Sequence, residues 1–169
     1  TDRTIAGQEE IDLLKIRQKQ LIAGVTGADI SKHTKRYSWV AFGYNGPGWN
    51  KNDTKQRLEQ LSDKVSEIKK IIAERENSEK TTKVEQEKIE KSLKFNAEEK
   101  YLFQVLRTLG FWKFERKLRN QQAHELMEDF IKEVARRNQL TTIQAKMIAP
   151  NEMEDALLGN GVDPNLLNE

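Results

Sequence analysis

The sequence predicts a mainly α fold: an elongated antiparallel helical bundle or coiled-coil hairpin, with an aromatic, strand-like segment near residues 37–44. Three observations carry that reading. Leu58, Leu61, Val65, Ile68 and Ile72 recur at alternating steps of three and four residues, the a/d spacing of a helix that packs one narrow stripe on another helix. Charged residues make up 33% of the chain and hydrophobic ones 36%, against about 45–50% in an ordinary globular domain, so the buried faces are narrow. Helix signatures then recur along the chain. Glu76–Lys80, Glu87–Lys91 and Glu90–Lys94 stand in the favourable i,i+4 order, and Asn96-x-x-Glu99 and Asn151-x-x-Glu154 read as capping boxes.

The first element is a helix over 7–25, where Ile11, Leu14, Leu21 and Val25 form a stripe that Leu13, Ile16 and Ile22 widen. Thr26-Gly27 ends it, because glycine tolerates the left-handed cap. Residues 28–36 are polar and basic and give no element. Tyr37-Ser38-Trp39-Val40-Ala41-Phe42-Gly43-Tyr44 is the one strand-like run, and Asn45-Gly46-Pro47-Gly48 stops it as a turn. No second strand follows, so this run either pairs with another chain or is an aromatic loop packed on the helices.

Asp53 caps the next helix, with Gln56 as its box partner. The stripe stays in phase from Leu58 to Ile72 and, after a polar middle, again at Ile89 and Leu93. This preserved phase favours one helix over about 53–95; the alternative is a turn at Asn77-Ser78. Asn96 opens the most apolar helix, carrying Leu102, Val105, Leu106 and Leu109, and Gly110 kinks or ends it. Leu126, Met127, Phe130, Ile131 and Val134 continue with helical spacing. A short helix over 141–148 stops before Pro150, and Gly159-Asn160-Gly161 ends a last turn of helix. The expected organisation is one helical domain over 1–159, in which the first helix and 102–109 pack on the 58–72 seam, and a flexible acidic tail over 160–169.

The charge balance is +2 overall but uneven: residues 101–149 carry nine Lys/Arg and five Asp/Glu, whereas 150–169 carry five Asp/Glu and no Lys/Arg. A balance near zero favours solubility over a field that gathers nucleic acid. The chain has no cysteine, which removes disulfides, thiolate metal sites and thiol catalysis, and fits an intracellular, cytoplasmic setting. No window has the run of about 18 apolar residues that a membrane span requires.

No pattern in the chain spells catalysis, a cofactor or a metal. His33 and His124 lack ligands at helical spacing, and paired carboxylates such as Glu98-Glu99 and Glu128-Asp129 sit in charged helical faces rather than in a pocket. Two surfaces remain. Trp39, Phe42 and Trp49 are partner-contact candidates, since aromatics with a polar handle concentrate at interfaces; the alternative is that they close one end of the helical core. Lys113, Arg116, Lys117 and Arg119 interleave with Trp112 and Phe114, a combination nucleic-acid binders use; the simpler reading makes Phe111, Phe114 and Leu118 core and the basic groups its solvated face. The expected function is a non-enzymatic structural or adaptor protein that binds other protein chains, or a second copy, through helical and aromatic surfaces. The runner-up is a nucleic-acid-associated structural protein that uses 113–119.

Overall fold

The computed structural model describes residues 3–43, 46–159 and Val162, and the chain is mainly helical. Seven α-helices follow in order: α1 (Ile5–Ala23), α2 (Gly27–Tyr37), α3 (Lys51–Glu59), α4 (Val65–Ser92), α5 (Ala97–Arg137), α6 (Thr142–Met147) and α7 (Met153–Leu158). A single 3₁₀ turn, Ser38–Ala41, follows α2, and there is no strand among the described residues. The strand-like run is therefore helical from Tyr37 to Ala41, and its last residue, Tyr44, lies outside the described residues. Trp39 and Phe42 stand three residues apart, so both can turn inward from a tight helical turn, and both are buried.

Local signals explain the helix ends. Thr4 accepts a hydrogen bond from the Gly7 amide, and Gly24, at φ +82°, closes α1. Thr26 and Asp29 form a reciprocal capping box that starts α2, a helix the sequence reading leaves unassigned. Asn50 and Asp53 do the same for α3, three residues upstream of the expected cap at Asp53. Asn96–Glu99 opens α5 as expected, and Thr141–Gln144 opens α6.

The 58–72 seam does not lie on one helix. α3 ends at Glu59 with Gln60 as its cap, and α4 begins at Val65, so the break falls inside the seam rather than at Asn77-Ser78, which α4 crosses without interruption. Arg17 of α1 explains how the break is held. Its guanidinium donates to the carbonyls of Leu61 and Ser62 in the link, and it ion-pairs with Asp63. Ser62 accepts from the Lys64 amide and donates to Glu67.

The seam residues nonetheless face inward. Leu58 packs with Leu13 and Ile30, while Ile68 and Ile72 pack with Leu14. Leu61, in the link, touches both clusters, and Val65 is half-buried. The partner of the seam is thus α1, flanked by α2, and not residues 102–109. Full burial of each such side chain contributes about 1.5–3 kcal/mol.

Past Glu76, which pairs with Lys15 at 2.7 Å, α4 outruns α1. Its far half instead runs beside the start of α5. Phe95 stacks on Phe103 with 4.8 Å between centroids, and Glu90 accepts from Arg107 at 3.0 Å. A groove lined by Lys83, Glu87, Gln104, Thr108 and Phe111 separates the two helices.

α5 is 41 residues long and passes through Gly110 without ending. Farther along, it meets the 3₁₀ turn. Its last turns then build a second core, in which Val134 and Ala135 pack with Ala145, Ile148 and Ala156. Asn138 ties that core together by donating to the carbonyls of Val134 and Ala156. Val162 packs against this cluster, while the rest of the expected tail, 160–161 and 163–169, lies outside the described residues. The accessible surface is 11975 Å². A compact monomer of this size would expose roughly 8,600 Å².

Candidate functional site

Two places in the molecule concentrate chemistry: a buried polar network between α1, α2 and α3, and an uncovered stripe along α5.

The network centres on Glu9, which is 2% exposed. Its Oε1 accepts from His33 Nε2 at 2.9 Å and from Arg57 Nη1 at 2.6 Å, and its Oε2 accepts from Arg57 Nη2 at 2.9 Å. Burial alone would raise the Glu9 pKa, but the hydrogen bonds and charges of His33 and Arg57 outweigh it and hold the carboxyl below its ordinary range. The Arg57 guanidinium lies 3.7 Å from the centroid of the Trp49 ring. Next to this network, the Tyr37 hydroxyl donates to Asp12 at 2.6 Å, and burial together with that bond pushes the phenol well above its usual range. Thr34 and Thr54 hydroxyls join α2 to α3 at 2.8 Å. The network joins α1, α2 and α3 beside the apolar cluster of Leu13, Ile30 and Leu58.

The aromatic candidates belong to this packed region. Trp39 and Phe42 are each 4% exposed, and Trp39 Nε1 donates to the Arg36 carbonyl at 3.0 Å. Trp49 is half-buried under Arg57. Of the two expectations for Trp39 and Phe42, an outward contact or packing within the chain, their burial goes with the second. The turn after them is close-fitted. A Cβ on Gly48 would stand 2.8 Å from the Ser38 carbonyl oxygen and 3.1 Å from Glu125 Oε1, and the Trp49 amide donates to that same carbonyl.

The stripe on α5 is different. Leu102, Val105, Leu109 and Trp112 follow at steps of three and four, as do Ala123, Leu126 and Phe130 lower on the helix. The same steps join the two blocks through Arg116 and Arg119. Leu109 is 56% exposed, Trp112 66% and Leu126 75%. Phe114, expected in the core, is exposed as well, while Phe111 and Leu118 are half-buried. In the middle of α5 the half-buried residues include Glu115, Gln121, Gln122, Glu125 and Glu128 beside Phe111, Leu118 and Ile131, and Glu128 pairs with Lys146 at 2.8 Å. Most of the heptad faces outward, while Val105 is half-buried.

The four basic candidates Lys113, Arg116, Lys117 and Arg119 are exposed. Arg119 donates to Gln122 at 3.0 Å. Among the described residues, none of the four forms an ion pair with a carboxylate. Sequence reasoning missed the α5 stripe as a unit. The step-of-three-and-four test that found 58–72 also finds it, once it is continued across the two arginines.

His33 is held by Glu9, and among the described residues no group of three or more His, Asp or Glu side chains is placed to bind a metal ion. No described helix is long and apolar enough to cross a membrane. No family model, no characterised protein and no solved structure matches the chain.

Proposed function

We propose that this chain is a non-enzymatic structural or adaptor protein, and that the outward stripe of α5 is where another protein chain docks. On this reading, α1–α3 and the first turns of α4 are the base, and the far part of α4 with the start of α5 forms a hairpin that projects from it. The observation that carries the proposal is the heptad run from Leu102 to Phe130, with Leu109, Trp112 and Leu126 each more than half exposed. Large apolar patches of this kind on a soluble surface mark interaction sites. A helix with an unburied apolar stripe gains most by packing it on another helix.

The test is a photo-crosslinking residue placed at position 109 and, as control, at the exposed position 55 of α3, in cells that make the protein. The expected result is a protein adduct from 109 that disappears when Leu126→Asp is added, and none from 55. Adducts of equal yield from both positions, or none from 109, would overturn the reading.

One observation favours the runner-up. Lys113, Arg116, Lys117 and Arg119 are exposed beside Trp112, a cationic and stacking surface of the sort single-stranded nucleic acid uses. Titration with a mixed-sequence oligonucleotide distinguishes it: phosphate contacts would make affinity fall steeply with salt, whereas helix docking would change little.

A further inference from the structure

We infer that the partner segment on α5 is an acidic-centred amphipathic helix: apolar at both ends of its own heptad stripe, with carboxylates at the middle core positions. This rests on the reading that α5 docks a protein helix, and adds the chemistry of the occupant.

The argument starts from where the arginines stand. Arg116 and Arg119 are not beside the heptad; they continue its a and d positions between two apolar blocks. A helix that covers both blocks must cross both guanidiniums. Covering removes them from water, and among the described residues neither forms an ion pair with a carboxylate, Glu115 on the same helix included. An unpaired charge buried in an apolar seam is strongly unfavourable, so the occupant must supply the counter-charge. Arginine suits that role because its planar fork can hold a carboxylate by two parallel hydrogen bonds. Lys113 and Lys117 lie one step to the side and extend the basic patch.

The same geometry argues against a second copy of the chain. In an antiparallel pair of α5 helices, one register sets apolar against apolar from Val105 to Phe130, with Leu109 opposite Leu126, Trp112 opposite Ala123 and Val105 opposite Phe130, but leaves Leu102 opposite Glu133. That register puts Arg116 of one copy opposite Arg119 of the other, twice. A parallel in-register pair stacks Arg116 on Arg116 and Arg119 on Arg119. Both arrangements bring like charges together at core positions, where a single polar residue already decides which partner is accepted. Nor does a phosphate backbone fit, because it leaves the leucines above and below the arginines uncovered.

The experiment uses the full chain and two labelled synthetic helices of about four heptads, the span of the stripe. Both carry leucine at the outer a and d positions; one has glutamate and the other lysine at the two central core positions. Anisotropy at physiological salt should show the glutamate helix bound at least about tenfold more tightly, since close interfacial charge pairs couple by 1.5 kcal/mol or more. In the double variant Arg116→Glu/Arg119→Glu the preference should reverse, with circular dichroism and melting unchanged because both side chains are exposed. Leu109→Asp should weaken both helices. Equal binding of the two helices, abolished by Leu109→Asp, would overturn the acidic inference and leave helix docking standing. Binding of neither helix would overturn both. A dimer by light scattering that Leu109→Asp dissociates would overturn the inference in favour of a second copy. Preference for the glutamate helix that persists in the double variant would place the charge recognition elsewhere and also overturn it.

Discussion

The base around α1 and the long helix α5 are built from similar heptad patterns and end in opposite states. In the base, Leu58, Ile68 and Ile72 are buried against Leu13, Leu14 and Ile30. On α5, Leu102, Leu109 and Leu126 are more than half exposed. An amphipathic period states that a face needs cover; it does not state what covers it. The base finds cover within the chain because α1 and α4 pack side by side, joined by Lys15–Glu76 and Arg75–Glu10. The helix α5 turns Glu115, Gln121, Gln122, Glu125 and Glu128 to the chain along with Phe111 and Leu118, and leaves Leu102, Leu109, Trp112 and Leu126 outside. The buried apolar clusters therefore lie in the base and in the small terminal core, and the uncovered stripe lies on the helix that connects them.

The sharpest way to break this comparison is to make one truncation in each region. Ile68 is fully buried, so Ile68→Ala removes its packing and leaves a cavity. A loss of about 3 kcal/mol is expected from urea unfolding, within the usual range for a buried isoleucine. Leu109→Ala should change stability by less than about 0.5 kcal/mol, as for an exposed site. Equal losses would mean that the α5 stripe is covered in the isolated chain.

The next effect concerns the buried charge. Glu9→Gln keeps the shape but leaves Arg57 and His33 without a carboxylate. Breaking a fully buried pair costs about 3–5 kcal/mol; because Arg57 keeps some solvent, about 1–3 kcal/mol is expected here. The pH dependence has a definite sign. The folded Glu9 pKa lies below its ordinary value of 4.5, so its contribution is present above that value and is lost as pH falls through the lower, folded one. Urea midpoints measured from pH 7 down to pH 3 should fall on the acid side, and less so in Glu9→Gln. An acid limb identical in the two proteins would show that Glu9 is not its source.

Several of these features were legible in the sequence, and the failures have physical causes. The cap at Asn96 and the inward turn of Leu58, Ile68 and Ile72 followed from residue type and period. The break at 60–64 did not, because Leu61 packs on both clusters and so keeps the phase of the stripe through a non-helical link. The helix α2 was hidden because its apolar residues, Ile30 and Tyr37, are few and its buried face includes His33. Thr26-x-x-Asp29, a capping box with aspartate in the usual glutamate place, was the available signal. Trp39 and Phe42 read as strand residues because aromatics favour strands, yet their spacing of three suits a helical turn equally. The exposure of α5 was beyond reach, since period alone cannot name a partner.

Two glycines bring the comparison down to a single methyl group. Gly48 lies in the packed region, where an added Cβ would stand 2.8 Å from the Ser38 carbonyl. That oxygen is backbone and already accepts from the Trp49 amide, so it cannot move aside freely. Gly48→Ala should lower stability by about 1–3 kcal/mol, the range of an overpacked site. Gly110 lies mid-way in α5, and nothing stands within 4 Å of its added Cβ. The helix continues through it, so alanine there is compatible with the native backbone and restricts the unfolded chain. Gly110→Ala should therefore raise stability by about 0.5–1 kcal/mol, the smallest effect of the set and opposite in sign. Paired thermal melts of the two variants check it. A destabilised Gly110→Ala protein would mean that the helix bends or is approached closely at that point, and the stripe from Leu102 to Phe130 would lose its straight support.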